Sequence, residues 1–127
     1  MGANFVLQMY NVFGVGQYAE WLDTMYLKYD NWNQPSFAIP LEWPTGFDIG
    51  NLKENHRTEL VEELNNIEQT VQHHHTKKFI KQAINCILTR KEPFALPEQS
   101  LTKLTKAMDN QRSTNLLDLD KRFKDYL

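Results

Sequence analysis

A run near the start of the chain, "NFVLQMYNVF" at positions 4 to 13, limits the possible folds most. Apolar side chains occupy both the odd-numbered and the even-numbered positions of this run, so a strand formed here would have two apolar faces. Such a strand is typical of a parallel sheet that is covered on both sides. The "GVG" at 14 to 16 then turns the chain, and residues 17 to 29 show the three-and-four apolar spacing of an amphipathic helix. The sequence therefore predicts half of a β-α-β unit.

The stretch "SFAIPLEW" at 36 to 43 predicts a second short strand. Pro40 lacks an N–H, so this is an edge strand, a bulge, or a strand that ends near a functional rim. Helical patterns follow over 53 to 70, over 76 to 90, and from Glu98 or Ser100 to about Gln111. We therefore predict an α/β fold in which two short parallel strands (4–52) precede three C-terminal helices (53–127). A chain of 127 residues suits a single domain.

The charge of the chain argues against two classes of partner. The net charge is −2 and the basic residues are scattered, whereas proteins that bind nucleic acids or anionic membranes carry a clear basic excess. No apolar run approaches the roughly 20 residues that span a bilayer, and the start lacks the pattern of a signal peptide. We expect no nucleic-acid partner, no membrane partner and a cytoplasmic location.

The cysteine and the histidines predict no metal site. Cys86 is the single cysteine and its apolar neighbours indicate a buried thiol, so this chain alone builds neither a disulfide nor a multi-cysteine cluster. On a helix, His73, His74 and His75 project about 100° apart and cannot converge on one ion. We interpret them as a polar helix junction rather than a metal site or a purification tag. His56 is expected to be a surface helix residue rather than a catalytic base.

Motifs for catalysis are missing from the sequence. There is no Gly-x-Ser-x-Gly, phosphate loop, His-Glu-x-x-His or dinucleotide fingerprint. The "GVG" lies between a predicted strand and a predicted helix, as a phosphate-binding turn would, but it lacks a third glycine. Glu42 and Asp48 could in principle do acid–base work, although an exposed carboxylate and a loop cap are the favoured interpretations. We predict no catalytic residue.

The C-terminal part, "LTKAMDNQRSTNLLDLDKRFKDYL", predicts a helix end, a polar turn and apolar anchors that lock onto the domain. Asp109 and Arg112 lie three apart and can pair on the helix. Together with "MYNVF" and "GFDIGNLKENHRTELVEEL", this stretch resembles the C-terminal part of twitch-type or SPASM-like radical SAM proteins, particularly phage-borne and environmental ones. The matching residues are Tyr10, Asn11, Val12, Ile49, Asn51, Leu52, Met108, Asp109, Arg112, Asn115 and Leu116.

The resemblance implies that the chain forms the last strands and trailing helices of a partial (β/α) barrel. Members of that family hold a [4Fe–4S] cluster with three cysteines, which this chain cannot supply. The cluster and S-adenosylmethionine are therefore expected only if a cysteine-bearing N-terminal part is present. By position, Asn11, Glu42 and Trp43 would face the barrel mouth and bind a cofactor. The alternative is that Asn11 caps a turn and Trp43 packs against a helix.

Two hypotheses about function follow. In the first, the chain is a C-terminal, cluster-free module of a radical SAM-like protein, without catalysis of its own, and its partner is the missing N-terminal barrel half. In the second, it is a stand-alone binding or assembly module of unknown ligand. Two strands alone leave sheet edges and apolar faces uncovered, so this second hypothesis predicts a homodimer or a larger oligomer.

Overall fold

The structure, a computed structural model, describes residues 1–91, 96–112 and 116–126. Two strands, β1 (Phe5–Leu7) and β2 (Ala38–Pro40), pair in parallel. Four α-helices lie in the described residues: α1 (Val15–Lys28), α2 (Glu54–Thr70), α3 (His74–Thr89) and α4 (Leu101–Arg112). Short 3-10 turns occupy Val12–Gly14, Thr45–Phe47, Ile49–Asn51, Pro97–Gln99, Leu116–Asp118 and Lys121–Tyr126. The predicted α/β fold, with two parallel strands followed by helices, is confirmed.

The first strand is much shorter than the predicted run of 4 to 13. It ends at Leu7 because the Asn11 side chain folds the next residues into a turn. Its Oδ1 accepts a hydrogen bond from the Gln8 N–H at 3.0 Å, and its Nδ2 donates to the Val6 carbonyl at 2.8 Å. The expected glycine turn is also replaced, since the 3-10 turn at Val12–Gly14 leads directly into α1.

Helices cover one face of the sheet and form the core. Leu7 and Ala38 point toward α1 and α3, where Leu22, Phe79 and Ile80 are fully buried. Helix α2 packs against both α1 and α3. At the α1–α2 contact a Cβ on Gly16 would lie 2.7 Å from Ile67 Cδ1, so glycine lets the two helices approach closely. Cys86 is buried in α3, as predicted.

Residues 116–126 pack back onto α2 and onto the 3-10 turn that precedes α1, as the predicted C-terminal lock requires. Phe123 is 1% exposed, and its ring meets that of Phe13 edge-on at a centroid distance of 5.0 Å. Asp109 Oδ2 accepts a hydrogen bond from the Leu116 N–H at 3.2 Å and so joins α4 to this segment. The predicted pairing of Asp109 with the side chain of Arg112 lies outside the described residues, as does Asn115.

Candidate functional site

Of the three residues that were predicted to bind a cofactor, the structure places one beside a surface cleft. Asn11 closes the turn after β1, as the alternative interpretation predicted, and its side chain also borders a cleft. Neither Glu42 nor Trp43 belongs to the lining of that cleft. Trp43 is 64% exposed, so the suggested packing against a helix is wrong. Glu42 lies beside Arg90, with 3.7 Å between Oε1 and Nη1.

Arg90 holds both carboxylates that were considered for acid–base chemistry. Its Nη2 lies 2.5 Å from Asp48 Oδ2 and its Nε 3.2 Å from Oδ1, while the Glu42 carboxylate is more distant. Asp48 is 1% exposed and also accepts a hydrogen bond from the Gly50 N–H at 2.8 Å. The hydrogen bond to Asp48 raises the pKa of Arg90. Both oxygens of the buried Asp48 carboxylate are thus bound by Arg90, and this two-point ion pair fastens the β2–α2 connection to the end of α3.

Arg57 is a buried cation that the sequence interpretation missed. It is 2% exposed, and its Nη2 donates to the carbonyls of Ile49 at 3.0 Å and Gly50 at 3.1 Å. Its Nη1 donates to the Ile87 carbonyl near the end of α3. Burial lowers the pKa of Arg57. The spacing to Leu60 placed Arg57 on the buried face of α2, which was the signal that could have revealed it.

His56 is also buried, so its assignment to the surface was wrong. It is 2% exposed, with Nδ1 2.7 Å from the Tyr126 hydroxyl oxygen and Nε2 3.1 Å from Asp125 Oδ2. The Tyr126 hydroxyl oxygen also accepts a hydrogen bond from the Lys53 N–H at 2.8 Å. Burial raises the pKa of Tyr126. This Tyr–His–Asp chain anchors residues 116–126 at the start of α2.

The histidine run forms a helix junction, as predicted. His73 is the N-cap of α3, and its Nδ1 accepts a hydrogen bond from the His75 N–H at 3.1 Å. Its ring stacks on Tyr26 at 4.5 Å, and Asp23 Oδ1 accepts from its backbone N–H at 2.9 Å. Burial lowers the pKa of His73, with a further contribution from His74 and His75. In the described ranges, no group of three or more His, Cys, Asp or Glu side chains could hold a metal ion.

One face of the two-stranded sheet is uncovered. Val6 and Ile39 are register partners and are 45% and 46% exposed, and Phe37, two residues before Ile39, is 46% exposed. Side chains alternate along a strand, so these three lie on the face opposite to Leu7 and Ala38. The sequence predicted strands covered on both sides, but in the part of the chain that the structure describes the helices cover only one. We call Val6, Phe37 and Ile39 the bare sheet face.

The edges of the sheet, in contrast, are closed by side chains. On the outer edge of β1 the Val6 carbonyl accepts the hydrogen bond from Asn11 Nδ2. On the outer edge of β2 the Ala38 N–H donates to Gln82 Oε1 at 2.8 Å, and Pro40 has no N–H to donate. Occupied or missing backbone donors and acceptors oppose the addition of another strand. Association at the sheet is thereby directed to its face.

A second surface feature is a cleft of about 550 Å³ between the start of α1 and residues 119–123. Half of its lining residues are aromatic, and we call it the aromatic cleft. It is lined by Phe5, Tyr10, Asn11, Phe13, Gly14, Gln17, Tyr18, Leu119, Asp120 and Phe123. The sequence pointed to one of these residues, Asn11, because the opposite wall comes from a segment more than a hundred positions away.

Comparisons with known proteins returned no match among protein-family models, curated proteins or solved structures. The resemblance to radical SAM proteins therefore stays a prediction. Among the described residues, every helix is too short or too polar to cross a bilayer.

Proposed function

We propose that this chain is a non-catalytic assembly module that associates with a second copy of itself through the bare sheet face. The observation that carries the proposal is the exposure of Val6, Phe37 and Ile39, close to half of each side chain, next to closed sheet edges. Burying apolar surface is the main favourable contribution to protein association. The closed edges oppose strand addition, so the partner is expected to lie flat on the face.

The chemistry of the face suits a second copy. On the same side of β1, Val6 is flanked by Asn4 and Gln8, so the exposed positions of this strand carry no charge. A twofold axis would bring this patch against itself, which brings no like charges together. A patch that is uncharged and apolar is therefore complementary to its own copy.

The size of the patch predicts a weak dimer. Full burial of a Val, Ile or Phe side chain contributes roughly 1.5–3 kcal/mol, and about half of that remains available for each side chain of the bare sheet face. Six side chains in a dimer would contribute roughly 5–9 kcal/mol, against an association cost of about 4–15 kcal/mol. We therefore expect reversible association at high protein concentration rather than an obligate dimer.

Sedimentation velocity over a concentration series tests the proposal. The wild-type protein should show a mass that rises with concentration, and Ile39→Lys should abolish this rise because it places a charge in the centre of the face. Leu27→Lys is the matched control, since Leu27 is 53% exposed on α1 and lies off the sheet. A wild-type protein that stays monomeric, or equal effects of the two substitutions, would contradict the proposal. Unchanged melting temperatures show that both variants fold.

The second candidate function is the closing part of a radical SAM-like protein. The observation that favours it is the β1–α1–β2 order with parallel strands and helices on one face, because in a barrel wall the bare face would point inward. One hydrogen bond is evidence against this second candidate. The Asn11 amide donates to the Val6 carbonyl on the outer edge of β1, which is the edge that a preceding barrel strand would use. A native sample prepared without oxygen distinguishes the two: a brown colour with a cysteine-rich partner supports the barrel, and a colourless homo-oligomer supports the assembly module.

A further inference from the structure

The aromatic cleft has the size and composition of a small-molecule site. Its volume of about 550 Å³ falls within the range of roughly 300–1,000 Å³ that is typical of ligand pockets. Five aromatic residues are among those that line it: Phe5, Tyr10, Phe13, Tyr18 and Phe123. Aromatic rings attract other planar rings in stacked or edge-to-face geometry, beyond what burial alone contributes.

Two polar groups of the cleft are free to bind a ligand. In residues 1–91, 96–112 and 116–126, the Gln17 amide and the Tyr10 hydroxyl have no hydrogen-bond partner. The other polar side chains are occupied, since Asn11 closes the turn after β1 and the Tyr18 hydroxyl donates to the Ala3 carbonyl at 3.1 Å. A few polar groups among apolar walls are the usual means by which a pocket orients its ligand.

Charge in the cleft is balanced. The Asp120 carboxylate accepts hydrogen bonds from Arg122 Nε at 3.0 Å and Nη2 at 2.9 Å, and this pairing lowers the pKa of Asp120. The Arg122 guanidinium in turn lies over the Phe13 ring, 4.4 Å from its centroid. Asp120 is thus already paired and offers little to a cationic ligand.

The start of α1 offers little to an anionic ligand. The Gly14 N–H donates to the Asn11 carbonyl at 2.9 Å, and the Val15 N–H donates to the Val12 carbonyl. Helix N-termini bind anions through N–H groups that lack such partners. The Gly14 and Val15 N–H groups beside the cleft are therefore unavailable to an anion.

We propose that the aromatic cleft binds an uncharged, planar aromatic molecule that packs against its rings and forms a hydrogen bond with Gln17 or Tyr10. The proposal is independent of self-association, because none of the residues of the bare sheet face lines the cleft.

Nuclear magnetic resonance titrations of the full chain test the proposal with four probes. Indole is planar, neutral and carries an N–H donor, whereas benzoate is anionic, benzylamine is cationic and cyclohexanol is neutral but not planar. We expect indole to shift the backbone amide signals of Gly14 and Gln17 and to bind more tightly than the other three. The absence of these shifts with indole, equal binding of cyclohexanol, or stronger binding of benzoate or benzylamine would each overturn the proposal.

Substitutions at the cleft provide the second part of the test. A Cβ on Gly14 would have no atom within 4 Å, and φ there is −97°, so Gly14→Leu should fill the cleft without strain. We expect it to weaken indole binding at least about tenfold, the equivalent of about 1.4 kcal/mol. Thr24→Leu, on an exposed turn of the same helix, is the matched control and should leave binding unchanged.

Gln17→Leu tests the same cleft without filling it and is therefore usable even if Gly14→Leu fails to fold. Among the described residues this exposed side chain has no hydrogen-bond partner, so its substitution should leave the melting temperature unchanged. Loss of one neutral hydrogen bond should weaken indole binding roughly three- to tenfold while cyclohexanol binding stays the same. Tyr10→Phe removes the alternative hydroxyl group, and unchanged indole affinity in both Gln17→Leu and Tyr10→Phe would overturn the proposal, as would unchanged affinity in a folded Gly14→Leu.

Discussion

Substitution of Arg57 by methionine tests whether this buried cation holds together the β2–α2 connection, α2 and the end of α3. Methionine matches the length of the arginine stem but donates no hydrogen bond. In the described part of the chain, the Gly50 and Ile87 carbonyls then lose their donor, whereas the Ile49 carbonyl keeps the Leu52 N–H at 3.0 Å.

The expected magnitude follows from these two carbonyls. A buried polar group without a partner costs about 1–3 kcal/mol, so the loss of two such partners in Arg57→Met should lower the free energy of unfolding by about 2–6 kcal/mol. Arg57→Lys should not restore it, because a single ammonium group cannot reproduce the planar fork of donors. Glu54→Gln is the control: the Glu54 carboxylate lies 3.7 Å from Arg57 Nε but is 73% exposed, so its loss should cost less than about 0.5 kcal/mol.

Urea unfolding monitored by circular dichroism measures all three variants. A cost below about 1 kcal/mol for Arg57→Met, or a full rescue by lysine, would refute the reasoning, because the carbonyl contacts would then contribute little. A large effect of Glu54→Gln would instead assign the stabilisation to the ion pair. The slope of the free energy against urea concentration should stay constant, since the same surface is exposed on unfolding.

Two further predictions concern packing and pH. A Cβ on Gly46 would lie 1.5 Å from the Gln99 carbonyl oxygen, so Gly46→Ala should lower the free energy of unfolding by about 2 kcal/mol or more. Gly14→Ala is the control and should change it by less than about 1 kcal/mol, because a Cβ there meets no atom within 4 Å. Equal melting temperatures of the two variants would contradict this prediction. Burial lowers the pKa of His73, so on acidification the unfolded chain binds a proton at this residue before the folded chain does. The contribution of the neutral His73 to the free energy of unfolding is therefore complete above about pH 6.5 and is lost as the pH falls through the lowered pKa. His73→Asn keeps a cap for the His75 N–H and should weaken the fall in melting temperature between about pH 7.5 and about pH 5. The comparison is made with wild type, because the charged or ionisable side chains of Asp23, His74 and His75 face His73 in both proteins. An unchanged pH dependence would show that His73 does not cause it.

Local patterns predicted the helices well. Helix α2 was predicted over 53 to 70 and occupies Glu54–Thr70, because Leu60 and Leu64 recur at helical spacing and are buried. The order of strands and helices was likewise correct, since it depends on neighbouring residues. The length of β1 was not predicted, because apolar residues such as Met9 are equally suited to a buried turn, and one Asn11 side chain decides where the strand ends.

Buried polar residues and the candidate site could not be predicted in the same way. His56 and Arg57 look like members of a solvated helix face until their partners are known, and Tyr126 lies 70 positions from His56. The aromatic cleft depends on the same long-range contacts, since Phe13 and Phe123 come from opposite parts of the chain. Glu42 and Trp43 were predicted as site residues from their position beside a strand end, which does not show what their side chains contact, and they do not line the aromatic cleft.

The packing of residues 116–126 has a consequence for biosynthesis. During translation the N-terminal aromatic residues leave the ribosome before the C-terminal ones are synthesised. The Lys53 N–H, for example, donates to the hydroxyl of Tyr126, which is added 73 positions later. Phe13 and the buried His56 therefore stay without this cover until translation has passed residue 126. Nascent chains with exposed apolar surface are the ones that chaperones bind. Translation that stalls after α4 should leave a product that associates with chaperones, whereas a product that includes residues 116–126 should be released.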